Sequence, residues 1–341
     1  METTNKFDLL ALGEIMLRLS APNNERIIRG DMFEKGAGGS ELNIVSGVSL
    51  LGLRTGVITK LPNNQLGTFI KNRVRFYSVS DDYIVYDRSA DTRLGVYYYE
   101  NGAHPRKPCV VYDRRNSSIN TLRIEELPES MFKNAKIFHT SGITLALCEN
   151  SRNLAVEVIK KFKENGALIS FDVNYRANLW TEEQARETIT TILPYVDILF
   201  ASEETCRRMF QMSGTLKEMQ KQFTTTYPIS VVASTERKII NPHKHNFTST
   251  IYSAKDDEWY TEKPYIDIEV VDRIGSGDAY VSGVLFGLLK YNDVKKALEF
   301  GNACGAVKNT IPGDLPASDF DEIERIITSH KNVGYESEMN R

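Results

Sequence analysis

Residues 268–289 read Ile268-Glu-Val-Val-Asp-Arg-Ile-Gly-Ser-Gly-Asp-Ala-Tyr-Val-Ser-Gly-Val-Leu-Phe-Gly-Leu-Leu289. A β-branched run ends at Asp272, a Gly275-Ser276-Gly277 turn follows, and Asp278 stands where a long apolar helix begins. The first N–H groups of a helix lack partners and the helix dipole is positive there, so the turn is predicted to bind an anion. In that field we expect the Asp278 carboxylate to stay ionised and to be available as a base. The segment therefore predicts phosphoryl transfer.

The same turn has an ordinary explanation, because glycine and aspartate are common at the start of any helix. Taken alone, it favours an anion site and simple capping about equally. The chain contains no G-x-x-x-x-G-K-[ST] loop and no G-x-G-x-x-G after a strand near its N-terminus. A P-loop NTPase and a Rossmann dehydrogenase are therefore disfavoured.

Length and composition exclude several classes of protein. The 341 residues are enough for one large α/β domain with an appendage or for two modest domains. Hydrophobic residues make up 41% and charged residues 26%, and the net charge of −3 gives no basic footprint for nucleic acid or a membrane. The four cysteines contain no C-x-x-C pair, and the sequence shows no signal peptide or bilayer-length apolar run. We expect a cytoplasmic protein whose partners are small molecules.

Short apolar runs alternate with helical patterns along much of the chain. Strands are predicted at residues 9–12, 55–58, 137–139, 168–172, 198–200 and 229–233, and helices at 41–51, 150–164, 181–193 and 203–210. Such repeats indicate an α/β fold with a central, mostly parallel sheet flanked by helices. Ligands of these sheets bind beyond the carboxyl ends of the strands, so Asp172, Ser202 and the Gly275 turn are expected to share one crevice.

Two segments, 14–35 and 92–116, break this alternation because they are rich in β-forming and polar residues without a helical pattern. Within the second, residues 95–99 and 109–112 are predicted to form a hairpin. We expect a small β-sheet lid on a main domain at 1–330, followed by a flexible tail at 331–341. Unpaired strand edges tend to be covered, so a lid-mediated homodimer or higher homo-oligomer is expected.

Two motifs occur in the order and spacing of a known family. Gly38-Gly39-Ser40-Glu41-Leu42-Asn43 has two glycines and an asparagine four residues on, and Asp272-Arg273-Ile274-Gly275-Ser276-Gly277-Asp278 is similar to Asp-Thr-x-Gly-Ala-Gly-Asp. With these motifs the chain resembles the ribokinase-like (PfkB) carbohydrate kinases over essentially its full length. The resemblance implies a ribokinase-like fold and an ATP-dependent kinase. It also implies Mg²⁺ bound mainly through the nucleotide, and it leaves a monovalent-cation requirement open.

Further segments resemble the branch of the family that phosphorylates 2-keto-3-deoxygluconate; they are 111–114, 141–147, 171–176 with 179–180, and 310–314. The resemblance implies phosphoryl transfer from ATP to this sugar acid, giving its 6-phosphate. Arg114 and Arg176 agree with an acidic acceptor, because fork-shaped guanidinium groups bind carboxylates. The alternatives are a kinase for another sugar, such as fructose or 5-keto-2-deoxygluconate, and a non-catalytic sugar-sensing relative.

The resemblance also implies roles for individual residues. Asp278 would deprotonate the acceptor hydroxyl, and the N–H groups of Gly275, Ser276 and Gly277 would hold the charge on the transferring phosphoryl group. Substrate would be bound by Gly39, Asn43, Tyr97, Tyr112, Arg114, Arg176 and Asp314. The nucleotide would be bound by Asn174, Ser202, Thr235, Gly275, Gly277 and Asn302. No side chain is assigned as a direct metal ligand.

Two stretches and one single residue depart from the family's pattern, and these departures affect the nucleotide site more than the sugar site. The usual Asn-x-x-Glu, associated with Mg²⁺ and phosphate, is Ser202-Glu203-Glu204-Thr205, so Glu203 or Glu204 would have to substitute through water. The usual Lys-x-Gly-x-x-Gly loop is replaced by residues 233–238, and Ser276 replaces an alanine. These departures motivate the non-catalytic alternative, whereas the retained Asp278 favours the kinase.

Overall fold

The computed structural model describes residues 6–332 of the chain, in which fourteen strands and ten α-helices form. The strands are β1 Phe7–Leu12, β2 Met16–Ser20, β3 Glu34–Gly38, β4 Thr55–Pro62, β5 Ser80–Asp87, β6 Val96–Glu100, β7 Cys109–Asp113, β8 Ala135–Ser141, β9 Leu168–Asp172, β10 Ile198–Phe200, β11 Val231–Asn241, β12 Lys244–Ser253, β13 Glu258–Thr261 and β14 Tyr265–Glu269. The helices are α1 Ser40–Leu50, α2 Gln65–Phe76, α3 Gly142–Ala146, α4 Glu149–Glu164, α5 Glu182–Ile192, α6 Glu203–Arg208, α7 Leu216–Thr226, α8 Ser276–Tyr291, α9 Val294–Lys308 and α10 Phe320–Lys331.

The central sheet has ten strands in the order β13-β12-β11-β10-β9-β8-β1-β4-β5, with β14 also paired to β12. The strands from β11 to β5 pair in parallel, whereas β12, β13 and β14 form antiparallel pairs at one edge. Parallel pairing places the carboxyl ends of β8, β9 and β10 side by side, at Ser141, Asp172 and Phe200. The predicted fold class is confirmed.

The sheet is buried on both faces, as a parallel sheet between helices must be. Successive residues of β1 alternate between two hydrophobic clusters: Leu10 packs in a cluster with side chains of α4 and α5, and Leu9 in one with side chains of α1 and α8. The period of two in a strand explains this alternation. It fixes α1 and α8 on the same side of the sheet, where they contact each other extensively.

A separate sheet has four strands in the order β3-β2-β6-β7, and we call it the lid sheet. Strands β6 and β7 form the predicted hairpin, and β2 pairs in parallel with β6. Tyr97 and Tyr99 lie on one face of β6 and are both 3% exposed, as expected if only one face of this strand meets the main body. In the described part of the chain β3 and β7 each have one neighbouring strand, so a lid-mediated homodimer stays a prediction.

The strands and helices predicted in the central domain occur at the expected places, with one difference that changes the site. Residues 233–238, which were expected to replace a nucleotide-binding loop, continue β11 in a long hairpin with β12. Of the predicted tail, Lys331 ends α10, and residues 333–341 lie outside the described residues. Between residues 6 and 332, none of the helices combines the length and the apolar character that crossing a bilayer requires.

Candidate active site

The anion-binding turn forms the N-terminus of α8, which begins at Ser276 with Gly275 as its N-cap. Gly275 has a φ of 80°, and a Cβ atom there would lie 2.1 Å from the carbonyl oxygen of Asp314, so only glycine fits. A Cβ atom on Gly277 would meet nothing within 4 Å. The fold therefore requires the first glycine, whereas the second leaves open space for a ligand.

The turn residues do not offer equivalent N–H groups. The Ser276 N–H group donates to the carbonyl oxygen of Arg273 at 3.2 Å, so it is not free for an anion. The N–H groups of Gly275, Gly277 and Asp278 form no hydrogen bond with any residue between 6 and 332. The structure thus corrects the role predicted for the Ser276 N–H group, because the turn itself uses that donor.

Asp278 is held by two polar side chains from α1. Its Oδ1 accepts a hydrogen bond from the Ser40 hydroxyl at 2.7 Å, and its Oδ2 accepts one from Asn43 Nδ2 at 2.7 Å. Removal from water raises the pKa of Asp278, although these two hydrogen bonds and the charge of Arg176 oppose the rise. The helix terminus is therefore not the only influence on the pKa of this carboxyl, because burial acts in the opposite direction.

Two more carboxyl groups lie near Asp278. Glu41 is 2% exposed and accepts hydrogen bonds from the hydroxyls of Ser141 at 2.6 Å and Thr144 at 2.9 Å. Burial raises the pKa of Glu41 to about 7 and that of Asp172 to about 7, and repulsion from Asp278 contributes to both shifts. The carboxyl groups of Asp278, Asp172 and Glu41 therefore lie near one another at the turn, and Glu41 is the one that the sequence did not indicate.

A small pocket of about 70 Å³ lies where the lid sheet meets α1 and α8, and we call it the lid pocket. Asp278 lines it together with all seven residues predicted to bind substrate: Gly39, Asn43, Tyr97, Tyr112, Arg114, Arg176 and Asp314. At Gly39, φ is 151° and a Cβ atom would lie 2.3 Å from the carbonyl oxygen of Glu14, so a side chain does not fit. The fold thus collects a set of residues that is scattered in the sequence.

The two arginines of the lid pocket differ in their partners. Arg114 Nε donates to Glu14 Oε2 at 2.8 Å, Arg114 Nη2 bonds the same oxygen, and the two side chains are 10% and 3% exposed. Arg176 is exposed, and its side chain forms no hydrogen bond or ion pair with any residue between 6 and 332, although its backbone carbonyl oxygen accepts from the Leu179 N–H group at 3.0 Å. Arg176 is therefore the arginine whose guanidinium group can accommodate a bound carboxylate without losing a protein partner.

A third arginine, Arg18 of β2, was not identified from the sequence. It is 4% exposed, and it donates to Asp314 Oδ1 and Asp272 Oδ2, each at 2.5 Å. The hydroxyl of Tyr97 also donates to Asp314. Asp314 is thus a buried link between the lid sheet and the segment after α9, and its Oδ1 is already occupied by Arg18 and Tyr97. The only available signal was a charged residue among the apolar ones of β2.

A larger cavity of about 450 Å³ opens beyond the carboxyl ends of β9 and β10 and beside residues 233–235 of β11, and we call it the sheet cleft. Its lining includes these residues considered above: Asp172, Asn174, Arg176, Ser202, Thr235 and Gly277. The predicted common crevice is therefore present. Arg176 lines both cavities, and the consecutive residues Gly277 and Asp278 line one each. The N-terminus of α8 thus stands between two compartments.

The altered stretch at 202–205 begins α6. Ser202 is the N-cap, and its Oγ accepts a hydrogen bond from the Thr205 N–H group at 3.1 Å. Glu204 lines the sheet cleft and pairs with Arg208, whereas Glu203 is not among the lining residues. Of the two glutamates considered from the sequence, Glu204 is the one in position to meet a bound ligand.

Asn302 does not lie where the sequence predicted. It is 0% exposed in α9, its Oδ1 accepts from the Ser249 hydroxyl at 2.7 Å, and its Nδ2 donates to Glu262 at 3.0 Å. It is not among the residues that line the sheet cleft. Its proposed contact with a nucleotide is corrected, because both polar atoms of the amide are used inside the protein.

Arg237 is a candidate that the sequence reasoning missed, because residues 233–238 were treated only as a lost loop. On β11, Arg237 Nη2 donates to the Ser276 hydroxyl at 3.0 Å. The serine that replaces alanine in the turn therefore holds a guanidinium group beside the free N–H groups.

Comparison with known proteins agrees with this geometry. The profile described as "pfkB family carbohydrate kinase" matches residues 6–317. A 2-dehydro-3-deoxygalactonokinase of Haloferax volcanii is 33% identical, over 94% of this chain and 96% of its own. A 2-dehydro-3-deoxygluconokinase of Bacillus subtilis is 28% identical, over 91% of this chain and 92% of its own. The chain belongs to the pfkB family of carbohydrate kinases.

Solved structures of similar proteins have the same fold. The crystal structure of 2-dehydro-3-deoxygluconokinase from Thermotoga maritima has a TM-score of 0.90 at 32% identity and covers 95% of this chain and 99% of its own. An Escherichia coli structure in complex with ATP and Mg²⁺ has a TM-score of 0.82 at 22% identity, over 95% and 100%, and shares the fold. The predicted family and the predicted enzyme class, a carbohydrate kinase, are confirmed.

Proposed function

We propose that this kinase transfers the γ-phosphoryl group of ATP to a hydroxyl of a keto-deoxy sugar acid, 2-keto-3-deoxygluconate, giving the 6-phosphate. The observation that carries the proposal is the position of the α8 N-terminus between the two cavities. Asp278 lines the lid pocket, and its neighbour Gly277 lines the sheet cleft. A sugar in the first cavity and a nucleotide in the second would meet at this turn.

Asp278 would act as the general base. Ser40 and Asn43 each donate a hydrogen bond to one carboxylate oxygen, so the orientation of the carboxylate is fixed. Each oxygen can still accept a second hydrogen bond, including one from the acceptor hydroxyl. The acceptor hydroxyl would give its proton to Asp278 as its oxygen attacks the γ-phosphorus in line and the bond to ADP breaks. The N–H groups of Gly275, Gly277 and Asp278 would stabilise the charge that develops on the phosphoryl oxygens.

The nucleotide would lie in the sheet cleft, bound by Asn174, Thr235 and the turn glycines, with Ser202 lining the cleft as the N-cap of α6. The described residues contain no group of three or more His, Cys, Asp or Glu side chains that could hold a metal ion. Mg²⁺ would be held mainly by the phosphates, whose charge it would neutralise, with Asp172, Glu182 and Glu204 as the carboxyl groups that line the cleft. Arg237, fixed by Ser276, is a further cation for the phosphates.

An acidic acceptor is supported by Arg176, which lines the lid pocket and whose side chain has no hydrogen bond or ion pair between residues 6 and 332. Gly39 and Asn43 of the same pocket would lie against the hydroxyls. The names of the two relatives, a gluconokinase and a galactonokinase of the 2-dehydro-3-deoxy series, support this acceptor class. Because gluconate and galactonate differ in the configuration of one carbon, 2-keto-3-deoxygalactonate is the second candidate.

A coupled ADP-release assay tests the proposal. The acceptors are 2-keto-3-deoxygluconate, 2-keto-3-deoxygalactonate, 5-keto-2-deoxygluconate and fructose, and the enzymes are wild type and Asp278→Asn. We expect the highest kcat/KM with a 2-keto-3-deoxy acid, and a loss of about 10³-fold in kcat for the variant. Asp278→Asn should still bind ATP, measured by calorimetry. If wild type turns over no acceptor faster than Asp278→Asn does, the result would instead support the sugar-sensing alternative.

A further inference from the structure

Lys308, the last residue of α9, is a buried cation that the mechanism above does not use. It is 1% exposed, which is rare for lysine. Its Nζ donates to the carbonyl oxygen of Ile311 at 3.0 Å and to that of Asp272 at 3.4 Å. An ammonium group buried among backbone carbonyl oxygens therefore lies just before the anion-binding turn.

The two carbonyls belong to two segments that shape the turn. Segment 271–275 leads into α8, and segment 309–314 packs against it: the N–H groups of Val271 and Asp272 donate to the Asn309 carbonyl oxygen at 2.8 and 3.1 Å. The Gly313 N–H group donates to Asp272 Oδ2 at 3.0 Å. Because Gly275 also touches the Asp314 backbone, a shift between the segments would move the free N–H groups.

The charges around Lys308 come from three sides. Asp272 and Asp314 attract the ammonium group from the two segments, Asp278 attracts it from α8, and Arg18 of the lid sheet repels it. Burial lowers the pKa of Lys308 to about 8, and the three carboxyl groups limit the fall. Since Arg18 alone cannot balance both Asp272 and Asp314, the ammonium group completes the local charge balance.

We propose that the Lys308 ammonium group is a built-in monovalent cation that holds the anion-binding turn in its active shape, so that this enzyme needs no K⁺. Potassium ions in proteins are bound by backbone carbonyl oxygens. The carbonyls of Asp272 and Ile311, which such an ion would use beside this turn, already accept from Lys308. Lys308 is a positioning residue. The inference rests on the proposed kinase function only because its test measures kinase activity.

The test compares wild type, Lys308→Ala and Lys308→Met in choline buffer with and without KCl or NH₄Cl at constant ionic strength. Wild type should be unaffected by K⁺. Lys308→Ala leaves a carbonyl-lined space, so its kcat should fall about 10-fold or more in choline and recover with K⁺ or NH₄⁺. Lys308→Met fills the same space without a charge, and its kcat should fall without recovery.

The pH profile gives a second readout, which also serves if Lys308→Ala does not fold. The ammonium group is charged below its pKa of about 8 and neutral above it, so wild-type kcat should fall above about pH 8 while circular dichroism shows a folded protein. Wild type stimulated by K⁺, a folded Lys308→Ala that K⁺ does not rescue, or a kcat that stays level to high pH would each overturn the inference. Failure of the kinase proposal is distinct, because wild type would then release no ADP in any buffer.

Discussion

The lid pocket and the sheet cleft are built in different ways. Asp314, which lines the lid pocket, is buried in an ion pair with Arg18; both side chains are 5% exposed, and Arg18 itself is not a lining residue. In the sheet cleft the pair of Arg208 and Glu204 is on the surface, with the side chains 62% and 73% exposed. We infer that the lid pocket selects its ligand by fixed geometry, whereas the sheet cleft depends on backbone N–H groups and tolerates changes of side chain.

The largest expected effect is the difference in stability lost when a buried ion pair and an exposed ion pair are broken. Arg18→Met leaves Asp272 and Asp314 buried without their cation, so the free energy of unfolding should fall by about 3–5 kcal/mol. The matched control Arg208→Met, in the sheet cleft, should cost less than about 1 kcal/mol because its partners are exposed. Urea unfolding followed by circular dichroism measures both. Similar losses in the two variants would remove the contrast between the cavities.

The two glycines of the turn should separate folding from function. A methyl group on Gly277 meets no protein atom within 4 Å but enters the sheet cleft. Gly277→Ala should therefore keep the melting temperature and lower kcat/KM for ATP about 100-fold, comparable to losing one donor of an anion hole. Gly275→Ala, in contrast, should lower the melting temperature, because the methyl group would overlap the Asp314 carbonyl oxygen. Wild-type kinetics in Gly277→Ala would show that the phosphoryl group does not pass this residue.

Arg176 lines both cavities and so tests which ligand it contacts. If it binds the carboxylate of the acceptor, Arg176→Ala should raise KM for sugar acids about 10- to 30-fold, because one charge-assisted hydrogen bond is lost. KM for ATP should stay nearly unchanged. The control Arg115→Ala, an exposed arginine that lines neither cavity, should change neither constant. Equal effects on both KM values would assign Arg176 to the transferring phosphoryl group.

The carboxyl cluster predicts a pH dependence of stability. The pKa of Glu41 in the folded protein, about 7, is above its ordinary value of 4.5, so its stabilising contribution is complete below about pH 4.5 and is lost as the pH rises through 7. Wild type should therefore melt several degrees lower at pH 8 than at pH 5. Glu41→Gln keeps the acceptor oxygen for Ser141 and Thr144, and it should reduce this difference. The control Glu157→Gln, at an exposed residue of α4, should leave the difference in melting temperature between pH 5 and pH 8 unchanged. If Glu41→Gln also leaves this difference unchanged, other groups cause the pH dependence.

The sequence predicted the central sheet, because strand period and helix caps are local signals. The seven residues predicted to bind substrate, all of which line the lid pocket, came instead from the resemblance to the family. The sequence did not predict Arg18 or Arg237. Their roles depend on partners far away in the chain, Asp272 and Asp314 for the first and Ser276 for the second. The same limit explains Asn302, whose amide is used by β12 rather than by the cleft. The opposing effect of burial on the pKa of Asp278 was missed for a related reason, since burial is set by the whole fold.

The smallest expected effect concerns Ser202, the residue that departs most clearly from the family's usual asparagine. Its hydroxyl caps α6 through the Thr205 N–H group, and asparagine is an equally good N-cap. Ser202→Asn should therefore leave the melting temperature and KM for ATP unchanged within about threefold, whereas Ser202→Ala should lose about 1 kcal/mol of stability with the same small change in KM. Steady-state kinetics and thermal melting measure both. A 10-fold change in KM for ATP in both variants would make the hydroxyl a nucleotide ligand, and the sheet cleft would then depend on side chains as strictly as the lid pocket does.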